Sequence, residues 1–219
     1  MRSAMTEAIS DVLLSNLARV ARALSALMMI LAVVLALAGL VLIGQGVWVH
    51  AKAVLAQVLL DRAFAQALAT GEAVKPWSWA DTWPVARIEF PRLGKSAIVL
   101  NGSSGQAMAF GPGQVERTPV AGEPGTTIYA AHRDTHFDFL GGVAIGDAVT
   151  VTRQDGKVVR FRVTGTGIAR WDASGIDPRK DDARRLVLVT CWPLDGRLSG
   201  PLRYLVYAEM VSETADVAR

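Results

Sequence analysis

The hydrophobic pattern divides the chain into three regimes. Residues 23–49 carry no charged side chain and read A-L-S-A-L-M-M-I-L-A-V-V-L-A-L-A-G-L-V-L-I-G-Q-G-V-W-V. A helix needs about 20 apolar residues to cross the hydrocarbon layer of a bilayer, and this run exceeds that, so it predicts a transmembrane signal anchor. A cleaved signal peptide would have a shorter apolar stretch of about 7 to 15 residues, which favours the uncleaved anchor despite the Ala51-Lys52-Ala53 triplet behind it. Residues 50–82 follow as a helical and tryptophan-rich linker. Its first part, to Leu68, lacks glycine and proline and places Val54, Val58, Leu59, Phe64 and Leu68 near helical spacing, with Thr70-Gly71 as the stop. Its second part sets Trp77, Trp79 and Trp83 between Pro76 and Pro84, which excludes a regular helix. Those indoles suit a covering of the domain surface better than a bilayer or groove contact.

From residue 83 to residue 211 the pattern becomes short strands and turns. Candidate strands are 85–90, 97–100, 126–131, 148–153, 157–163, 186–191 and 203–210, with 168–171 the weakest addition. Asp155-Gly156 is a hairpin signal between two of them. Residues 102–125 form the longest loop-like stretch and carry Gly105, Gly111, Pro112, Gly113, Pro119, Gly122, Pro124 and Gly125. No P-loop lysine or dinucleotide fingerprint accompanies those glycines, so they are not a phosphate cradle. Short strands separated by such turns predict an all-β domain, barrel or sandwich. Residues 212–219 read as a disordered tail. The segment 1–22 mixes Glu7, Asp11, Arg19 and Arg22 with apolar residues, compatible with a frayed tail or a short amphipathic helix.

Charge sets the orientation and excludes one class of partner. Arg19 and Arg22 precede the span, while His50 and Lys52 follow it, a modest bias toward a cytoplasmic N-terminus and an extracytoplasmic domain. The net charge of +3 is small, and Arg179, Lys180, Arg184 and Arg185 alternate with Asp177, Asp181 and Asp182, so nothing points to nucleic acid.

The chemistry concentrates in three places. Cys191, the only cysteine, ends the run L-V-L-V-T-C, and Arg203 opens the next run after a loop with Pro193, Gly196, Gly200 and Pro201. An unpaired thiol in an oxidising compartment makes no internal disulfide, which favours a chemical use over a packing one. His132 closes the run T-T-I-Y-A-A and is the candidate proton carrier; His50 follows the anchor and His136 falls in a loop. His132 and His136 have the i, i+4 spacing of a helical metal pair, but the intervening R-D-T is not a zinc motif.

The segments A-H-R-D-T-H-F, L-V-T-C-W-P and G-P-L-R-Y-L-V-Y-A, in that order, resemble the sortases, membrane-anchored cysteine transpeptidases. The resemblance runs from about Trp83 to Met210, and its His-Arg-Asp-Thr and Thr-Cys-Trp-Pro forms are most like proteobacterial sortases. It implies an eight-stranded β-barrel and a catalytic set of His132, Cys191 and Arg203, with Thr190 beside the cysteine. It also implies a substrate protein with a C-terminal sorting signal similar to Leu-Pro-x-Thr-Gly, an unidentified amine acceptor and no cofactor. Some sortases use calcium, though no dense acidic cluster here demands it. Two positions depart from the common pattern: Ala131 stands where many sortases have glycine, and Val187 where many have threonine. Two other readings remain compatible with the residues: a cysteine hydrolase that resolves the same thioester with water, and a membrane-tethered β domain that binds peptide without catalysis.

Overall fold

The computed structural model describes residues 2–196 and 200–211, with two compact units, Met1–Ala53 and Val54–Arg219. Helix α1 (Arg2–Thr70) supplies nearly all of the first unit and the start of the second. Its helicity extends to Arg2, so the N-terminal segment is not the frayed tail that its mixed composition also allowed. In the first unit, side chains such as Leu35, Leu42 and Ile43 are exposed along a helix long and apolar enough to cross a membrane. That suits a membrane anchor or a signal.

In the second unit α1 ends at Thr70, where Gly71 takes a φ of 74° and donates its amide to Ala67. The buried stripe is Ala56, Leu60, Ala63, Phe64 and Ala67, an i, i+4, i+7 pattern displaced from the large aliphatics expected to form it. Val54, Val58 and Leu68 are exposed instead. Alanine at three of the five positions lets the helix approach the sheet closely, and Leu60 and Phe64 then pack against Ile98, Leu100 and Ala107. Asp61 pairs with Arg87 at 2.6 Å, and Arg87 lies over the Phe64 ring. Of the tryptophans beyond α1, Trp77 meets Phe110 edge to face at 5.1 Å, whereas Trp79 is exposed.

Eight strands close a barrel: β1 (Pro84–Phe90), β2 (Lys95–Asn101), β3 (Gly113–Gln114), β4 (Gly125–Ala130), β5 (Ala148–Arg153), β6 (Val158–Arg170), β7 (Arg184–Cys191) and β8 (Leu202–Met210). Their order around the barrel is β1-β2-β3-β4-β7-β8-β6-β5. The expected barrel is therefore present, with two corrections to its strands. Residues 168–171 do not make a separate strand; up to Arg170 they prolong β6, which continues past a register shift between Val163 and Gly165 and pairs with β8 to the end. The eighth strand is β3, inside the stretch expected to be loop, where it bridges β2 in parallel and β4 antiparallel. Gly113 fits there because a Cβ would lie 2.2 Å from the Gly102 carbonyl oxygen, too close for any side chain. The tail 212–219 lies outside the described residues.

Alternation along the strands fills the barrel with Ile88, Phe90, Val149, Val151, Phe161, Leu186, Leu188 and Val206, among others. At the turn before β5, Arg92 clamps the largely buried Asp147 with two nitrogens, and Asp147 also accepts the Ala144 amide at 2.8 Å. The guanidinium first, and the amide with it, hold the Asp147 carboxyl below its ordinary value of 3.8 against the opposing effect of burial. A carboxylate with a depressed folded-state pKa adds stability above the ordinary value and loses it as the pH falls through the depressed one. Asp147→Asn is therefore expected to lower stability by about 1–3 kcal/mol at neutral pH. The gap should narrow below the ordinary value and close under strong acid, as read by urea melts across that range.

Candidate active site

Three neighbouring strands carry the residues singled out in the sequence near one end: His132 two residues past β4, Cys191 last in β7 and Arg203 second in β8. In β7, Leu186 and Leu188 lie in the barrel core and Thr190 is buried, so the alternation turns Val187, Val189 and Cys191 to the outer face. In β8, Tyr204, Val206 and Ala208 pack inward, which leaves Arg203 on the outer face. In β4 and just beyond it, Tyr129 and Ala131 are core residues and His132 is the next one out. All three candidates are half-buried.

Register then brings them level. Cys191 is the direct cross-strand partner of Arg203 in the antiparallel β7–β8 pair. The β4–β7 pair is parallel and matches Ala130 with Val189; the Ala131 amide continues it by donating to the Val189 carbonyl at 3.1 Å. Continued for two residues, this register sets His132 level with Cys191. Adjacent strands lie about 4.8 Å apart, so imidazole, thiol and guanidinium form one row across three strand ends.

Local contacts hold the row. The Thr190 hydroxyl donates to the Ala131 carbonyl at 2.8 Å and ties β7 to the residue before His132. The Phe137 amide donates to the His132 carbonyl at 3.1 Å, and the fully buried Phe137 ring anchors the turn that follows His132. Burial pushes the His136 pKa down, the nearby Ala109 backbone opposes it, and His132 adds a smaller downward push. Residues 133–139 form turns, so the helical geometry that would set His132 and His136 on one face is not present. Among the described residues no cluster of three or more acidic, histidine or cysteine side chains is arranged to hold a metal ion.

Cys191 is a free thiol. Arg203 donates from Nη1 to the carbonyls of Gly200 and Leu202 at 2.9 and 2.8 Å, which leaves Nε and Nη2 without a partner among the described residues. Three of the five N–H donors of the planar fork are thus open to an oxygen ligand. Farther along the same outer face, residues 171–183 cover the start of β7, where Val187, Ile176 and Tyr207 line a cavity of about 150 Å³. This loop is fixed to β4: Thr126 donates its amide to Pro178 at 2.8 Å, and Gly125 donates to Ala183 at 2.8 Å. Gly125, at a φ of 106°, has no room for a Cβ, which would lie 2.3 Å from the Pro178 oxygen.

Comparison with known proteins agrees with this architecture. A family model described as the sortase domain matches residues 88–211, more than half of the chain. The chain belongs to the sortase family. Sortase D of Bacillus subtilis is 24% identical over 125 residues, covering 57% of this sortase and 63% of the relative, so the match spans less than two thirds of that protein's length. A sortase D transpeptidase of Clostridium perfringens has the same fold at 18% identity, with a TM-score of 0.57 over 72% of this chain and 96% of the other. A point variant of sortase E from Streptomyces avermitilis is 29% identical, with a TM-score of 0.50 over 59% of this sortase and 88% of that chain.

The sequence points to His132, Cys191, Arg203 and Thr190. It gives no sign that Arg133 donates to the Pro193 and Gly196 carbonyls, because a side-chain bond to a distant carbonyl leaves no periodic signal.

Proposed function

We propose that this sortase is a cysteine transpeptidase in which Cys191, His132 and Arg203 carry the chemistry. The observation that carries the reading is the row of the three side chains on adjacent strand ends, on one accessible face of the barrel. The Cys191 thiolate attacks a peptide carbonyl, and a C–S bond forms. His132 as imidazolium gives its proton to the leaving amine as the C–N bond breaks, and a thioacyl enzyme remains. Neutral His132 then takes a proton from an incoming amine, which attacks the thioester and releases the thiolate. The Nε and Nη2 donors of Arg203, unpartnered among the described residues, bind the oxyanion of each tetrahedral intermediate.

The substrate is a protein with a C-terminal sorting signal similar to Leu-Pro-x-Thr-Gly, cut after the threonine. From Val187, at the cavity, to Cys191 is four residues of strand, about 13 Å. An extended peptide of that length fits between them, with its first side chain in the cavity and its scissile carbonyl at the sulfur. The chain is anchored once in the plasma membrane through residues 23–49, with residues 1–22 in the cytoplasm, the linker 50–82 and the barrel 83–211 outside. The finer kinship with proteobacterial sortases rests on the His-Arg-Asp-Thr and Thr-Cys-Trp-Pro segments.

The test is incubation of the full chain with sorting-signal peptides, with and without an added amine. Mass spectrometry should find the acyl fragment on Cys191, and the amine should divert the product from acid to amide. Acid alone at every amine concentration would make the protein a hydrolase. Neither adduct nor cleavage with a peptide library would leave the non-catalytic binding domain.

A further inference from the structure

The backbone ladder stops where the chemistry begins. β4 ends at Ala130 and β7 at Cys191; the last bonds beyond them are from the Ala131 amide to Val189 and from the Trp192 amide to Leu202, so between β4 and β7 His132 lies past the final backbone bond, where strand ends fray. Behind this level, the Thr190 hydroxyl joins the two strands. Ahead of it a second connection crosses the same gap. Arg133, the residue after His132, donates from Nη1 to the Pro193 carbonyl at 2.8 Å and from Nη2 to the Gly196 carbonyl at 3.1 Å. Those acceptors lie two and five residues beyond Cys191, on the loop that leads toward Arg203.

We propose that Arg133 is a positioning residue that clamps the loop leaving Cys191 to the turn leaving His132, and so fixes the approach of imidazole to sulfur. The inference rests on the assignment of those two residues as proton carrier and nucleophile. A guanidinium is suited to the task because its two terminal nitrogens lie in one plane at fixed separation, so each bond constrains the other. Its charge strengthens both bonds to neutral carbonyls. The two connections bracket the reacting pair: Thr190 fixes the strands in register, and Arg133 fixes the loops beyond them. Both of these bonds end on backbone carbonyls of the loop.

Displacing a reacting pair by as little as 1 Å can lower a rate by about 100-fold. Full-length Arg133→Ala, Arg133→Lys and His132→Ala are therefore compared with the parent chain by iodoacetamide labelling of Cys191 at neutral pH and by turnover of a sorting-signal peptide. Arg133→Ala should label Cys191 at a rate moved most of the way to that of His132→Ala. Its kcat should fall by on the order of 10- to 100-fold with KM changed less than about twofold. Arg133→Lys, able to reach one carbonyl, should fall between. Parent-like labelling and kcat in Arg133→Ala overturn the proposal, as does a loss accounted for by the unfolded fraction in a thermal melt. If the parent itself labels no faster than His132→Ala and turns over no peptide, the assignment of nucleophile and proton carrier fails instead.

Discussion

Replacing Cys191 with alanine is expected to remove peptide turnover by on the order of 10⁶-fold, to the floor of the assay, because no other side chain in the row can form the acyl bond. Fold stability should change little. The position is half-buried at a strand end, and exchanging a thiol for a methyl group there leaves the barrel core untouched. The variant should still bind the sorting-signal peptide, so isothermal titration can separate binding from chemistry. Persistent cleavage by the purified variant, or peptide acylation at another residue, would remove Cys191 from the mechanism. A variant that neither binds nor melts like the parent would show a structural position instead.

Arg203→Ala should lower kcat by about 100- to 1,000-fold, the range typical of losing one donor to a developing oxyanion. KM should move much less, since the charge on that oxygen appears only after attack. Arg203 also donates to the carbonyls of Gly200 and Leu202 at the start of β8, so part of any loss would come from loosening that strand entry. Arg203→Lys distinguishes the two. An ammonium supplies charge but not the planar fork, and it should recover only part of kcat if directed donors matter. Full recovery with lysine would mean that positive charge alone suffices; an unchanged kcat in the alanine variant would exclude an oxyanion role.

The candidate site was more legible in the sequence than some of the scaffold around it. His132, Cys191 and Arg203 each end or begin a short apolar run bounded by turn residues, so the same pattern that marks the strands also marks their ends. The barrel's eighth strand was hidden for the opposite reason. Gly113 and Gln114 are too few to show alternation and stand among turn formers, and only the close approach of the Gly102 backbone explains why glycine is there. Gly165 and Gly167 likewise interrupt the apolar pattern of β6, so one strand of 13 residues reads as two short pieces. In α1, alanines carry three of the five buried contacts, and alanine is a weak signal for which face turns inward. The tethers from Thr190 and Arg133 end on backbone carbonyls, which any residue provides.

The buried bond from Thr190 to Ala131 bears on how the barrel avoids misassembly. Sheet side chains repeat with a period of two, so β7 displaced by a single position against β4 would carry sulfur into the apolar interior and bring a buried leucine to the solvent side. Such a slip would also turn Thr190 outward with that leucine, away from the Ala131 carbonyl, and the wrong alignment would forgo the bond between them. One polar atom among hydrocarbon neighbours thereby helps to select the alignment in which the thiol reaches the surface.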